Sequence, residues 1–206
     1  MTFPDDSYAD IASYFDAYAD RLAHALKSID RSKLDQAGQR LAAAYENGGR
    51  LYVCGNGGSA AIADSFVGDH AKLVQSDTHL KPRIISLSSN IPMLTAIAND
   101  LSYDDVFLYP LRSDARPGDL LLVISSSGNS ENVVRAAQWA RDNEIDVIAF
   151  TGFTGGRLAG IATHHLHVEA DNYGVIEDSH QSLMHVLAQY IRMANMDPAL
   201  IAERLF

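Results

Sequence analysis

The sequence predicts an α/β fold: a parallel sheet covered by helices on both faces, preceded by an N-terminal helical hairpin. Three observations carry this. Five apolar runs, Arg50–Cys54, Arg83–Leu87, Asp119–Ile124, Asp146–Phe150 and His165–Val168, are mostly continuous rather than alternating, as strands buried on both faces are. Helical patterns at 59–73, 91–99, 130–142 and 175–194 separate most of them, so crossovers join the strands in parallel. Two strand–loop–helix junctions, LYVCGNGGSAAIADSF and LLVISSSGNSENVV, share one design: an apolar run, a turn of small polar residues, and a new helix.

The elements follow in order. Residues 8–29 place Tyr8, Ile11, Tyr14, Phe15, Tyr18, Leu22, Ala25, Leu26 and Ile29 at helical spacing. Residues 32–46 continue with Leu34, Ala37, Leu41, Ala44 and Tyr45; Ser32 is the expected cap and Gly48-Gly49 the stop. The aromatic stripe of the first helix is generous for one helix and suits either an internal core or a subunit interface. From residue 50 onward strands and helices alternate, with surface loops at 75–82 and 114–118. Residues 1–48 therefore form an N-terminal helical part and 49–206 the sheet-containing part of one unit.

The 206 residues suffice for one good-sized domain. The net charge of −10 argues against direct, non-specific nucleic-acid binding, which needs a basic footprint. No apolar run is long enough for a membrane span, and the start lacks the basic and apolar regions of a secretory signal. The single cysteine, Cys54, ends a strand run and reads as a buried apolar residue. A cytoplasmic location is expected.

A small anion needs no lysines if backbone N–H groups, hydroxyls and helix dipoles hold it. Helix starts at Ser59 and Ser130 offer free N–H donors, glycines 55, 57, 58 and 128 allow close backbone approach, and Ser125, Ser126, Ser127 and Ser130 add hydroxyls. This chemistry suits a phosphate. The bland alternative is that Ser59 and Ser130 merely cap their helices. No Walker string G-x-x-x-x-G-K-[ST] is present. GNGGSA fits a loose dinucleotide pattern, but the next strand ends Ser86-Leu87-Ser88-Ser89-Asn90 without the acidic ribose partner, so no nucleotide cofactor is expected.

GNGGSA, the strand ending SSSGNS, Ala98-Asn99-Asp100, and Phe150-Thr151-Gly152 followed by Gly155-Gly156 together resemble the SIS (sugar isomerase) domain family, over nearly the whole chain. Within it the chain resembles the phosphoheptose (sedoheptulose 7-phosphate) isomerases, with the non-enzymatic DnaA-initiator-associating proteins as near relatives. The resemblance implies a five-stranded, flavodoxin-like three-layer fold and a homotetramer with sites at subunit interfaces. It implies phosphate on Ser125, Ser126, Ser127 and Ser130, and a sugar lined by Asn56, Gly57, Gly58, Ser59, Asn99, Asp100 and Glu177. It further implies a catalytic base at Asp69, an acid–base histidine at His185, and zinc or another divalent metal on Asp69, Glu177 and His185. The family's ligand set of His, Glu, Gln and His reads Ser65, Asp69, Glu177 and His185 here. The base is thus one methylene shorter, a displacement of about an ångström. His70 and Asp178 are substitute ligands to consider. Two functions stay open: an aldose–ketose isomerase, or a non-catalytic phosphosugar-binding regulator.

Spacing alone gives blander readings for several of these. His180 shares a stripe with Ile176, Leu183 and Leu187, a core position, whereas His185 aligns with Asp178, Gln181, Gln189 and Arg192 on a polar stripe. In a strand His165 and His167 share one face and His164 the other, as ordinary edge residues. Lys72 and Arg112 read as surface cations.

Overall fold

The computed structural model describes residues 2–206. Helix α1 (Ile11–Ser28) starts at Asp10, whose carboxylate accepts the Ser13 N–H while the Ser13 hydroxyl faces the Asp10 backbone N–H in a reciprocal box. Helix α2 (Arg31–Glu46) is capped by Asp30 rather than Ser32, because the Asp30 carboxylate accepts from the N–H groups of both Ser32 and Lys33.

The remaining elements alternate: β1 (Arg50–Gly55), α3 (Gly58–Gly68) with a π-helical turn Asp69–Leu73, β2 (Arg83–Ser86), α4 (Ile91–Asp100), α5 (Leu108–Asp114) and β3 (Leu120–Ile124). Then come α6 (Glu131–Asp142), β4 (Asp146–Thr151), α7 (Leu158–Ile161), β5 (His164–His167) and α8 (Tyr173–Asn195). The sheet is wholly parallel in the order β2-β1-β3-β4-β5, the flavodoxin-like arrangement. The expected five strands are all present. The short helices α5 and α7 escape a periodicity search, since each buries a single residue, Leu111 and Leu158.

Alternation along the strands builds two cores. Leu51, Val53, Leu120, Leu122, Ile124, Ile148 and Phe150 face α1, α2, α3 and α8. Tyr52, Cys54, Leu121, Val123, Val147 and Ala149 face α4 to α7. Ala25, Ile29, Ala37 and Leu41 of the N-terminal helices belong to the first core, so these helices share one hydrophobic interior with the sheet. β1 connects outward to β2 and β3 connects the other way to β4. The carboxyl ends of β1 and β3 are therefore the switch point at which open α/β sheets hold ligands. No helix among the described residues is long and apolar enough to cross a membrane.

Candidate active site

Both small-polar loops open at that switch point. A cavity of about 150 Å³ lies between them, lined by Asn56, Ser59, Ser125, Ser126, Ser127, Ser130, Tyr173 and Glu177 with Ile124 at its floor. The capping alternative fails on geometry. Gly57, at φ 55°, occupies the cap position of α3, and Ser59 lies one residue inside the helix. Ser130 occupies the cap position of α6, yet its side chain makes no capping bond. The Ser130 hydroxyl and the first two N–H groups of α3 and of α6 thus remain available to a ligand, while the Ala60 N–H is taken by the Gly57 carbonyl and the Val133 N–H by Asn132 Oδ1. The Ser125 and Ser127 hydroxyls accept from the N–H groups of Gly128 and Asn129, which shapes the loop.

Glycine is required at 128. Its φ is +65°, and an added Cβ would lie 2.1 Å from the Gly155 carbonyl oxygen. The Gly155-Gly156 turn after β4 therefore presses directly on the cradle, which explains why the two motifs occur together.

The other expected residues divide into groups. Asn56 lines the cavity, but its amide pairs reciprocally with Asn132 at 2.9 Å in each direction, and its Oδ1 also accepts from the Tyr103 hydroxyl at 2.9 Å. Its side chain ties the β1 loop to α6 rather than standing free for a sugar. Asn132 and Tyr103 are site-shaping residues that pattern reading missed. The signal for Asn132 was a buried polar residue inside an apolar helix face. Asn99 and Asp100 stand outside the cavity. They sit on the exposed last turn of α4, where Asn99 Nδ2 donates to Asp100 Oδ1 at 2.7 Å, because only Ile97 of that helix is buried.

Asp69 and His185 do come together. Nδ1 of His185 lies 2.7 Å from Oδ2 of Asp69, with both side chains part-exposed. The shorter aspartate still reaches, because the π-helical turn carries it against α8. Nε2 of His185 is 3.0 Å from the Gln181 amide nitrogen. That nitrogen can only donate, so Nε2 is the acceptor and Nδ1 carries the proton toward Asp69. The couple sits at the far end of α3 from the cradle, roughly 16 Å of helix rise away.

Glu177 does not join them. Its carboxylate covers Gly58 at the start of α3: a Cβ on Gly58 would meet Oε2 at 2.3 Å. On α8 it lies about 12 Å of rise from His185. Ser65 supplies no nitrogen. The two substitute ligands are committed elsewhere: Asp178 accepts from the Tyr18 hydroxyl at 2.6 Å, and His70 is buried with both ring nitrogens in contact with partners. Among the described residues, no three His, Cys, Asp or Glu side chains are placed to hold a metal ion. The donor set of one chain therefore does not fit the divalent metal that the family resemblance implied.

His180 is fully buried against Phe150, the core position its spacing predicts, and neither ring nitrogen has a hydrogen-bond partner. His165 and His167 share a face, both contacting the Thr151 hydroxyl. Arg192 departs from the solvated stripe. It is buried, and donates to the Ser76 and Leu205 carbonyls and to Asp77.

A doubly covered parallel sheet with a hydroxyl- and N–H-lined cradle at its switch point defines an open α/β protein whose ligand side is the carboxyl edge of the sheet. The chain belongs to the SIS-domain family, whose model matches residues 13–152. Its similarity is to phosphoheptose isomerases within that family. The enzyme of that name from Mycobacterium tuberculosis is 41% identical over 174 residues, covering 82% of this chain and 87% of the relative. The structure of phosphoheptose isomerase GmhA from Neisseria gonorrhoeae superposes with TM-score 0.79 at 32% identity, covering 88% of this chain and 97% of the other. A phosphoheptose isomerase from Francisella tularensis gives 0.80 at 31% identity, covering 89% and 96%.

Proposed function

We propose that the protein is an aldose–ketose isomerase acting on a sugar phosphate of the sedoheptulose 7-phosphate type. The phosphate rests on the Ser125–Ser130 loop and the N-termini of α3 and α6, held by neutral donors in a chain of net charge −10. The observation that favours catalysis over binding alone is the Asp69–His185 couple at 2.7 Å, contributed by two elements far apart in sequence. Asp69 takes the proton from the carbon next to the carbonyl. His185 moves the hydroxyl proton between the two oxygens of the enediolate through Nε2, the substrate hydroxyl taking the place of the Gln181 amide on that atom. The carbon proton then returns to the neighbouring carbon, so nothing is gained or lost overall.

The cradle and the couple of one chain stand about one α3 length apart. The couple is flanked by an exposed apolar stripe on α8, Val186, Tyr190 and Met193, while α1 exposes Ile11 and Phe15. Both stripes suit burial against further copies of the chain, so a homo-oligomer, a tetramer by family expectation, completes the site. A cytoplasmic setting fits this reading.

The test is proton NMR in deuterated buffer with sedoheptulose 7-phosphate and a panel of other sugar phosphates, with added zinc and with chelator. Deuterium entering at the carbon beside the carbonyl, lost in Asp69→Ala, is the expected result. Binding without exchange for any sugar would replace the isomerase with a phosphosugar-binding regulator.

A further inference from the structure

The turn that carries Asp69 is π-helical, and π turns are rare and recur at functional sites. What holds it is His70. The ring is fully buried and stacked on Phe66, with centroids 3.8 Å apart and planes 10° apart. Its Nδ1 lies 2.8 Å from the hydroxyl of Tyr45 on α2, and its Nε2 lies 3.4 Å from the carbonyl oxygen of Met184 on α8. A carbonyl only accepts, so Nε2 carries the proton and Nδ1 accepts from Tyr45. The tautomer and the orientation of the ring are thus set from both sides.

His70 follows Asp69 in the chain and Met184 precedes His185. One buried ring therefore bridges the backbone beside one member of the couple to the backbone beside the other. We propose that Tyr45, His70 and the Met184 carbonyl form a positioning clamp that sets the registry of Asp69 against His185. The clamp acts through the couple and touches no substrate. Its consequence for turnover rests on the isomerase reading above, whereas its geometry does not.

Tyr45→Phe removes only the hydroxyl and leaves the apolar packing in place. In histidine-labelled protein, with the His185 ring resonances assigned by His185→Ala, those resonances move in Tyr45→Phe toward their positions in Asp69→Asn. Turnover falls about ten- to a hundredfold through kcat, the scale of an ångström of misplacement. KM and sugar-phosphate affinity stay unchanged, because the clamp touches none of the cradle residues. Adding Tyr45→Phe to His70→Phe has no further effect. Unmoved His185 resonances in Tyr45→Phe overturn the clamp whatever happens to turnover, and so does an additive double variant. A wild-type protein without turnover would instead defeat the isomerase reading and leave the resonance test to decide the clamp; should His70→Phe fail to fold, Tyr45→Phe decides it alone.

Discussion

His180→Leu is expected to stabilise the protein. The ring is 0% exposed, and neither nitrogen makes a hydrogen bond of good geometry, the Thr151 backbone beside it being at most a weak partner. A buried unsatisfied polar group costs about 1–3 kcal/mol, and leucine removes both while filling a similar space. Allowing for imperfect repacking, we expect a gain of about 2 kcal/mol at pH 7.5, or roughly 4–8 °C in Tm for a chain of this length. Proton linkage adds a second signature. Burial pushes the His180 imidazole down to about 4. Between about pH 6.5 and 4 the unfolded chain binds a proton there that the folded chain refuses. The stability tied to this ring is thus complete above about pH 6.5 and falls by about 1.4 kcal/mol per pH unit on acidification toward 4. His70, pushed down to about 3 by burial, adds a parallel slope. His164, His165 and His167, also lowered by burial, add to the wild-type slope; the variant should lose only the His180 share, so its advantage over wild type widens to about 4 kcal/mol at pH 5. Urea unfolding at pH 7.5 and pH 5, at one protein concentration, measures both effects. A variant less stable than wild type at both values, or an advantage that does not grow on acidification, refutes the reasoning.

Three further outcomes test the site. Ser127→Ala with Ser130→Ala should weaken sugar-phosphate binding at least tenfold and lower urea stability by no more than about 1 kcal/mol, because Ser130 makes no cap and the half-buried Ser127 hydroxyl makes one loop bond, to the Asn129 N–H; calorimetry with inorganic phosphate and a sugar phosphate reads the binding. Glu177→Gln should tighten phosphate binding roughly tenfold or more, since it removes a like charge beside a cradle that no cation lines. Gly58→Ala should do the same by evicting that carboxylate, while the helix tolerates alanine, so unchanged affinity in both variants would remove Glu177 from the site. Gly128→Ala should lower stability by about 1–3 kcal/mol and abolish binding, because it forces a positive φ on alanine and drives its Cβ into the Gly155 carbonyl.

Much of the site was legible because its parts are local. The two loops announced themselves as glycine and serine between an apolar run and a helix, and the structure places them side by side at the switch point. Strand alternation put His165 and His167 on one face, and helical spacing buried His180. These features depend on backbone periodicity, which sequence spacing determines directly. The pairing of Asp69 with His185, the clamp of Tyr45 on His70, and the claim of Asn132 on Asn56 join residues 116, 25 and 76 positions apart. So does the seat of Glu177 over Gly58, which separates it from the two residues with which it was expected to share a metal. Such contacts depend on where α2, α3, α6 and α8 pack against one another and on the π-helical turn that carries Asp69 to α8. The sequence by itself determined the layers, the cradle and the identity of the titratable groups. Which of those groups meet was decided only by the packing of helices, because their crossing is settled by burial over the whole interface rather than by any one motif.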